Sequence, residues 1–423
     1  MRCVEPAGRL RGAVEVPGDK SASHRAVLLS ALSDGPSRIE HLSGGEDVAR
    51  TLGIVRALGA SVHSAGATLV VNGSAGLAPA RAALECGNSG TTMRLVAGVV
   101  ATITGTHRLV GDASLSRRPM DRVAVPLRAM GADLEGTGEH CSAPLRVVGR
   151  DVLVGIDYTV PVPSAQVKSA ILLAGLNAQG PTTVREAVRT RATTESMLLA
   201  AGVRVDVEDV GAGRRVRVWP ARPRPHDWRI PADPSQAAFF AVLACIHRDA
   251  SLDIPDLADE PERLGFVAVL ARMGGAVTLA RGEGRAALHA RTSTLGATEV
   301  SAAEIPSVDE VPALTVAAAA ATGTTVFRDV GELRVKESDR FAASIALARA
   351  LGARAWGEAD DLYVEGLGTS RRFARVELDA GLDHRMAMAA AVAGVAGAGA
   401  CVRGAETVAT SFPTFFERLE ALA

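Results

Sequence analysis

A phrase of the form helix end, glycine, strand recurs five times along this chain, as RALGASV, RAMGADL, LAAGVRV, ARMGGAV and ARALGARA, and it restricts the fold more than any other feature. The glycines stand at 59, 131, 202, 274 and 352, in steps of 72, 71, 72 and 78 residues. Each follows a helix-like apolar pattern and precedes alternation, the position of a left-handed helix terminator leading into a strand. A second phrase, extended segment, polar loop and Ala/Leu-rich helix, appears six times: VPGDKSASHRAVLLSAL, LECGNSGTTMRLVAGVV, VPVPSAQVKSAILLAGL, IPADPSQAAFFAVLACI, IPSVDEVPALTVAAAAA and LDAGLDHRMAMAAAVAG. Marked by Lys20, Asn88, Gln166, Gln236, Asp309 and His384, its steps are 68, 78, 70, 73 and 75 residues. The chain is therefore read as six α/β units, each with two helices and several strands. At 423 residues it is too long for one core, and six units divide most simply into two domains of three. The Arg- and Pro-rich WPARPRPHDWRIP, residues 219–231, interrupts the pattern after the third unit and is the hinge candidate.

The helices after the polar loops are apolar nearly all round, so they are expected to be buried. Aromatic residues make up only 3 % of the chain, so the cores must be built from Ala, Val and Leu. A buried helix that starts in a polar loop offers backbone N–H groups and the positive end of its dipole to an anion. The formal net charge of -1 gives no global attraction to nucleic acid or to a membrane surface, so an anionic ligand must be held by local clusters. The apolar stretches are too short to span a bilayer, and the start MRCVEPAGRLRG lacks an apolar signal core. Five scattered cysteines, Cys3, Cys86, Cys141, Cys245 and Cys401, show no metal spacing and are expected as reduced thiols in a cytoplasmic protein.

The loops before the buried helices carry a biased set of side chains. The first has Lys20, Ser21 and Arg25; the second Asn88, Ser89, Gly90, Thr91 and Arg94; the third Ser164, Gln166 and Lys168; the fifth Asp309 and Glu310; the last His384 and Arg385. Arg117 and Arg118, Arg191, and the stretch RVKESDR with Lys336, Glu337 and Arg340 join them. Cations and donors outnumber carboxylates, which implies small substrates with several negative charges. Taken singly, Arg94 and Arg117 read as solvated helix caps. All but three of the 46 basic residues are arginine, so Lys20, Lys168 and Lys336 stand out. A lysine is a compact charge that can give up a proton, which a guanidinium cannot do.

PGDKSASHRAVLLSAL, GNSGTTMR, RRPM, PSAQVKSAILLAGL, VDEVPAL, RVKESDR and DHRMAM resemble, in order and along essentially the whole chain, the motif series of the 5-enolpyruvylshikimate-3-phosphate (EPSP) synthase family. The resemblance implies a two-domain inside-out α/β barrel, three βαβαββ units per domain around buried parallel helices, which closes on its substrates. Residues 1–17 with 231–423 would form one domain and 18–230 the other, with crossovers near 17–20 and 228–233. It implies transfer of the enolpyruvyl group of phosphoenolpyruvate to the 5-hydroxyl of shikimate 3-phosphate, with release of phosphate and without cofactor or metal, by a cytoplasmic monomer.

By the same resemblance Asp309 takes the hydroxyl proton, Glu337 exchanges a proton with the methylene carbon of a tetrahedral intermediate, and Lys20 attends the departing phosphate. His384 is counted with this catalytic set. Such roles need groups of tunable pKa. Arg118, Arg340 and Arg385 match the phosphoenolpyruvate clamp, where forked donors suit carboxylate and phosphate. Ser21, Arg25, Ser164, Gln166, Arg191 and Lys336 match the shikimate phosphate side, and Asn88, Gly90, Thr91 and Ala165 fall on further substrate-binding positions. Lys168 matches no role and is expected on a helix surface. The chain departs from many members at Ala165, where a second Ser is common, at Glu332, where Asn is common, at Leu95, where Pro is common, and at Thr410, near an expected Lys. Gly90 stands where some relatives carry Ala and tolerate glyphosate. Two other readings are UDP-N-acetylglucosamine enolpyruvyl transferase, which usually has Lys-Asn where Lys20-Ser21 stands and a loop Cys near LSRRPMDR, and a non-catalytic anion-binding protein on the same scaffold. The latter would have no need of Asp309 and Glu337 among anion-binding cations.

Overall fold

A computed structural model describes residues 1–368 and 372–422. Its chain forms two compact units, residues 18–230 and residues 1–17 with 231–423. In the 18–230 unit the helices are α1 (Lys20–Leu32), α2 (Glu46–Ala57), α3 (Gly90–Val100), α4 (Asp121–Ala129), α5 (Ala165–Gly175) and α6 (Thr193–Ala200). The other unit has α7 (Pro234–Ile246), α8 (Gly265–Arg272), α9 (Val311–Ala320), α10 (Arg340–Ala350), α11 (His384–Ala396) and the short α12 (Phe415–Glu420).

One repeat serves as the pattern. Leu84–Glu85 runs parallel to Gly105–Val110, which pairs antiparallel with Ser142–Gly149, and Asp133–Thr137 closes the edge against Ser142–Gly149. Helix α3 joins the first two strands and α4 the second and third, giving βαβαββ. The same strand order builds four other sheets, and in two of them the first strand comes from far along the chain. Trp228–Arg229 lies parallel to Pro36–Glu40, and Leu10–Ala13 lies parallel to Ala250–Ala258. The sixth repeat differs. Val376–Asp379 and Ala400–Arg403 pair in parallel, and the chain's first strand, Arg2–Val4, completes that sheet antiparallel to Ala400–Arg403.

The buried helices follow from composition. In α7, α9 and α11 every residue but the last is buried, and α3 exposes part of Arg94 alone. Ala, Val and Gly leave no polar face to solvate, so each unit encloses its three central helices behind its sheets. At Gly98 a Cβ would stand 2.3 Å from the Ala170 carbonyl oxygen of α5, so the missing side chain sets how closely α3 and α5 approach. The outer helices α2, α4 and α8 bury one face only. Gly59, Gly131, Gly202, Gly274 and Gly352 adopt φ of 108°, 98°, 76°, 90° and 98°, the left-handed terminator their spacing implied.

Residues 219–227 lie as a strap on the 18–230 unit. Arg222 donates to the carbonyls of Leu32, Ser33 and Gly73, and Trp228 Nε1 donates to Ser30 Oγ at 3.1 Å.

The cysteine expectation is corrected for two of the five. Cys3 and Cys401 form a disulfide, because the antiparallel pairing of the first strand with Ala400–Arg403 sets them opposite each other. They are 398 residues apart in sequence, so spacing could not reveal the pair. Cys86, Cys141 and Cys245 are free thiols, all buried. No helix among the described residues is long and apolar enough to cross a membrane.

Candidate functional site

In the 18–230 unit the polar side chains gather where α1, α3 and α5 begin. Asp19 caps α1, accepting from Ala22 N at 2.7 Å, while Ser89 and Ser164 cap α3 and α5, accepting from Thr92 N and Val167 N. Asp233 and Asp383 likewise cap α7 and α11 in the other unit. A carboxylate cap already occupies the positive end of a helix dipole. The helix starts at α1, α7 and α11 are thus taken by the protein's own anions, and side-chain cations are left as the main anion-holding elements.

Those cations are held in place. Arg25 is 2 % exposed and donates from Nε to Thr194 Oγ1 (2.6 Å), from Nη1 to the Ser21 carbonyl (2.7 Å) and from Nη2 to Ser169 Oγ (2.6 Å). Arg191 Nη1 donates to Ser21 Oγ at 2.6 Å. Lys20 pairs with Asp47 on α2 at 2.9 Å. Beneath them His24 is fully buried against Thr51, and burial, then the charges of Lys20 and Arg25, hold its imidazole well below the usual value. His24 therefore stays neutral at physiological pH. Ser21 thus joins Arg25 and Arg191, one through its carbonyl and the other through its hydroxyl.

A second cluster forms at the starts of α3 and α5. Arg94 Nη1 donates to Gln166 Oε1 at 2.6 Å and its Nη2 to the Pro119 carbonyl, and Gln166 Nε2 donates to Thr91 Oγ1 at 2.9 Å. The reading of Arg94 as a solvated cap is corrected: it ties the first turn of α5 to the loop at Pro119. Arg117 is exposed, as expected. Buried Arg118 reaches Asn88 Oδ1 at 3.4 Å, and a methyl placed on Gly90 would stand 2.8 Å from Arg118 Nη1 and 3.0 Å from Arg94 Nη1. Ser164 and Ala165 sit half-buried at the start of α5. Lys168 overturns its expectation completely. Instead of lying on a surface it is 0 % exposed, 2.8 Å from Glu186 and 2.7 Å from Glu195.

In the other unit Asp309 is the centre. Arg340 Nη1 lies 3.1 Å from its Oδ1, Arg385 Nη2 3.6 Å from its Oδ2 and Lys336 Nζ 3.9 Å from its Oδ1. Arg385 Nη1 also donates to the Asp309 carbonyl at 3.0 Å. Val308, the residue before it, has φ 50°, a strained conformation for a β-branched residue that aims this loop. Arg340, 1 % exposed, is itself gripped by Asp383 (2.8 Å) and Glu337 (2.5 Å). Burial alone would lower the Arg340 pKa, but Asp383, Glu337 and Asp309 outweigh it and raise the value further. Burial likewise works against ionised Asp383, and Arg340 more than offsets it, so Asp383 lies below the usual carboxylate range. Lys336 is drawn below the ordinary lysine value by burial, which Asp309 and Glu332 oppose. His384 is buried at the first turn of α11, beside Asp383.

Reading the motifs missed Asp47, Ser169, Thr194 and Asp383, which hold Lys20, Arg25 and Arg340 in place. Asp383 had a local signal, an Asp directly before the helix that opens HRMAM. The others lie on different elements from their partners, and no sequence spacing links them.

The sequence model of the EPSP synthase (3-phosphoshikimate 1-carboxyvinyltransferase) family matches residues 4–419. A 3-phosphoshikimate 1-carboxyvinyltransferase from Geobacter sulfurreducens is 43 % identical over 428 residues, covering 99 % of this chain and 98 % of that one. Among solved structures, EPSP synthase from Acinetobacter baumannii is 38 % identical with a TM-score of 0.85, covering 100 % of this chain and 98 % of that one. The enolpyruvyl transferase NikO from Streptomyces tendae, 22 % identical with a TM-score of 0.77 and covering 100 % of this chain and 97 % of that one, shares the fold.

Proposed function

This chain belongs to the EPSP synthase family, and from that membership we propose how its residues carry out the reaction. The reaction transfers the enolpyruvyl group of phosphoenolpyruvate to the 5-hydroxyl of shikimate 3-phosphate and releases phosphate. Ser21, Arg25, Arg191, Ser164, Gln166 and Lys336 take the phosphate of shikimate 3-phosphate. Arg118, Arg340 and Arg385 take the anionic groups of phosphoenolpyruvate, with Asn88, Gly90, Thr91 and Ala165 lining the two substrates. Asp309 accepts the 5-hydroxyl proton. Glu337 protonates the methylene carbon and later removes a proton from it, and Lys20 protonates the departing phosphate.

The observation that best supports these roles is the placement of Asp309, a carboxylate with three cations within 4 Å. Binding anions would require the cations alone. A carboxylate among them suits a group that must take a proton beside bound negative charge. Incubation with phosphoenolpyruvate and shikimate 3-phosphate should release phosphate, and UDP-N-acetylglucosamine in place of the latter should release none. The opposite pattern would overturn the reading. The same reading takes the protein as a cytoplasmic monomer, to be checked by fractionation and sedimentation.

Two consequences follow for kinetics. Lys336 loses its proton at a lower pH than an ordinary lysine, so the KM for shikimate 3-phosphate should climb on the alkaline side, below about pH 10.4 where a free lysine is still charged. Lys336→Arg should abolish the climb, because a guanidinium does not titrate there. An unchanged profile in Lys336→Arg would remove Lys336 from the substrate's surroundings.

Gly90→Ala has a defined steric target, the guanidinium ends of Arg118 and Arg94. Gly90 lies in a helical first turn, so alanine strains no backbone, and the methyl must displace one of those flexible tips. Such crowding costs on the order of 1–3 kcal/mol. With Arg118 on phosphoenolpyruvate, the KM for that substrate should rise, and the inhibition constant of glyphosate, a longer anion competing for the same groups, should rise more. Their ratio, measured in both proteins, decides it: no increase in the ratio means the methyl does not face the inhibitor.

A further inference from the structure

Lys168 has no part in the reaction just described, yet it is the most completely enclosed lysine of the chain. Its ammonium lies between two carboxylates, Glu186 Oε2 at 2.8 Å and Glu195 Oε1 at 2.7 Å, and 3.5 Å from the Thr190 carbonyl. Thr190 Oγ1 in turn donates to Glu186 Oε1. Glu186 is the last residue of the strand Thr182–Glu186, and Glu195 lies in the first turn of α6. The six residues between that strand and α6 form the loop that carries Arg191. Lys168 therefore grips both roots of the loop and its middle.

The neighbouring residues make the grip consequential. Ser169, next to Lys168 on α5, accepts from Arg25 and shares a hydrogen bond with Thr194 at 2.6 Å. Thr194, next to Glu195 on α6, accepts from Arg25 Nε at 2.6 Å. Two adjacent residues of α5 thus face two adjacent residues of α6, one pair binding Arg25 and the other forming the charged triad. A shift of α6 would move Thr194 away from Arg25 and Arg191 away from Ser21 together. Well-packed apolar side chains would serve stability at least as well as a buried ion triad. What they would not supply is a directional tie between three elements. A lysine suits the place because a single compact ammonium meets both carboxylates below 3 Å.

We propose that Lys168, with Glu186 and Glu195, is a positioning residue for the shikimate-phosphate pocket, holding Arg191 and Thr194 in register with Ser21 and Arg25. This rests on the assignment of that pocket to shikimate 3-phosphate.

Lys168→Met alone leaves two carboxylates facing each other in the interior and can fail to fold. The informative protein is the charge-free variant K168M/E186Q/E195Q, compared with the parent and with Arg191→Ala. In the variant the KM for shikimate 3-phosphate should rise about 10-fold, the scale of a small misplacement of binding groups. The KM for phosphoenolpyruvate should stay within about twofold, and the melting temperature within a few degrees. Lys168→Arg, which keeps the charge but not the compact shape, should fall between parent and variant. If Arg191→Ala raises the KM for shikimate 3-phosphate and the folded variant does not, the triad is structural only and the proposal falls. If Arg191→Ala itself leaves that KM unchanged, the pocket assignment falls and takes the proposal with it. An equal rise in both KM values would likewise overturn it, since general loosening rather than positioning would be the cause.

Discussion

Replacing Asp309 by Asn, or Glu337 by Gln, is expected to lower kcat about 100-fold or more, the usual scale for losing a general acid or base. Both changes keep the side-chain shape. Each carboxylate keeps some contact with solvent, 18 % and 15 % exposed, and when either charge is removed the buried Arg340 retains Asp383 as a partner. The melting temperature should move by a few degrees at most. The two can be told apart in deuterated water: Glu337→Gln should stop uptake of solvent deuterium into the methylene group of phosphoenolpyruvate, because exchange at that carbon is the role proposed for Glu337. Turnover within about threefold of the parent would exclude the substituted residue from proton transfer.

The second large effect is on stability. Arg340→Met should cost the 1–17/231–423 unit about 3–5 kcal/mol, the scale for stripping a buried charge of its partner. Asp383 is 0 % exposed and would be left with its carboxylate unpaired by any guanidinium. The pH dependence should invert. In the parent, the depressed Asp383 contributes stability that is full above the unfolded carboxylate pKa of about 3.9 and is lost as pH falls through its lower folded value. In the variant, burial raises Asp383 instead, so stability is present in acid and is lost as pH rises through the raised value. Denaturation at pH 5 and pH 8 should therefore differ in the variant and not, through this residue, in the parent. Adding Asp383→Asn should recover part of the loss. A variant within about 1 kcal/mol of the parent at both values would show that Arg340 does not neutralise Asp383.

What could be read beforehand was periodic or local. The glycines at 59, 131, 202, 274 and 352 announced their left-handed φ because both the helix before and the strand after them leave a pattern within a few residues. The buried helices announced themselves by lacking any polar face. Cations at helix starts were legible for the same reason, being adjacent to the elements that present them. What stayed hidden was pairing between distant elements. Lys168 looks like any helix lysine until the folded chain brings Glu186 and Glu195 to it, and Cys3 and Cys401 look like stray thiols until the first strand pairs with Ala400–Arg403. The left-handed φ of Val308 had no signal either, since valine disfavours it and only its surroundings enforce it.

The borrowed strands set an order in time. A ribosome extends a chain at about 5–20 residues per second, and domains fold as their segments emerge. Every strand of the 18–230 unit lies within one continuous segment, so that unit can close as soon as Trp228–Arg229 has joined Pro36–Glu40. The strands Arg2–Val4 and Leu10–Ala13 are made first and find their partners, Ala400–Arg403 and Ala250–Ala258, only later. For Arg2–Val4 the wait is on the order of ten seconds or more after the first unit is finished. During synthesis Arg2–Val4 therefore stays unpaired beside a completed 18–230 unit, and it is sheltered from proteases and from other nascent chains only once Ala400–Arg403 has followed.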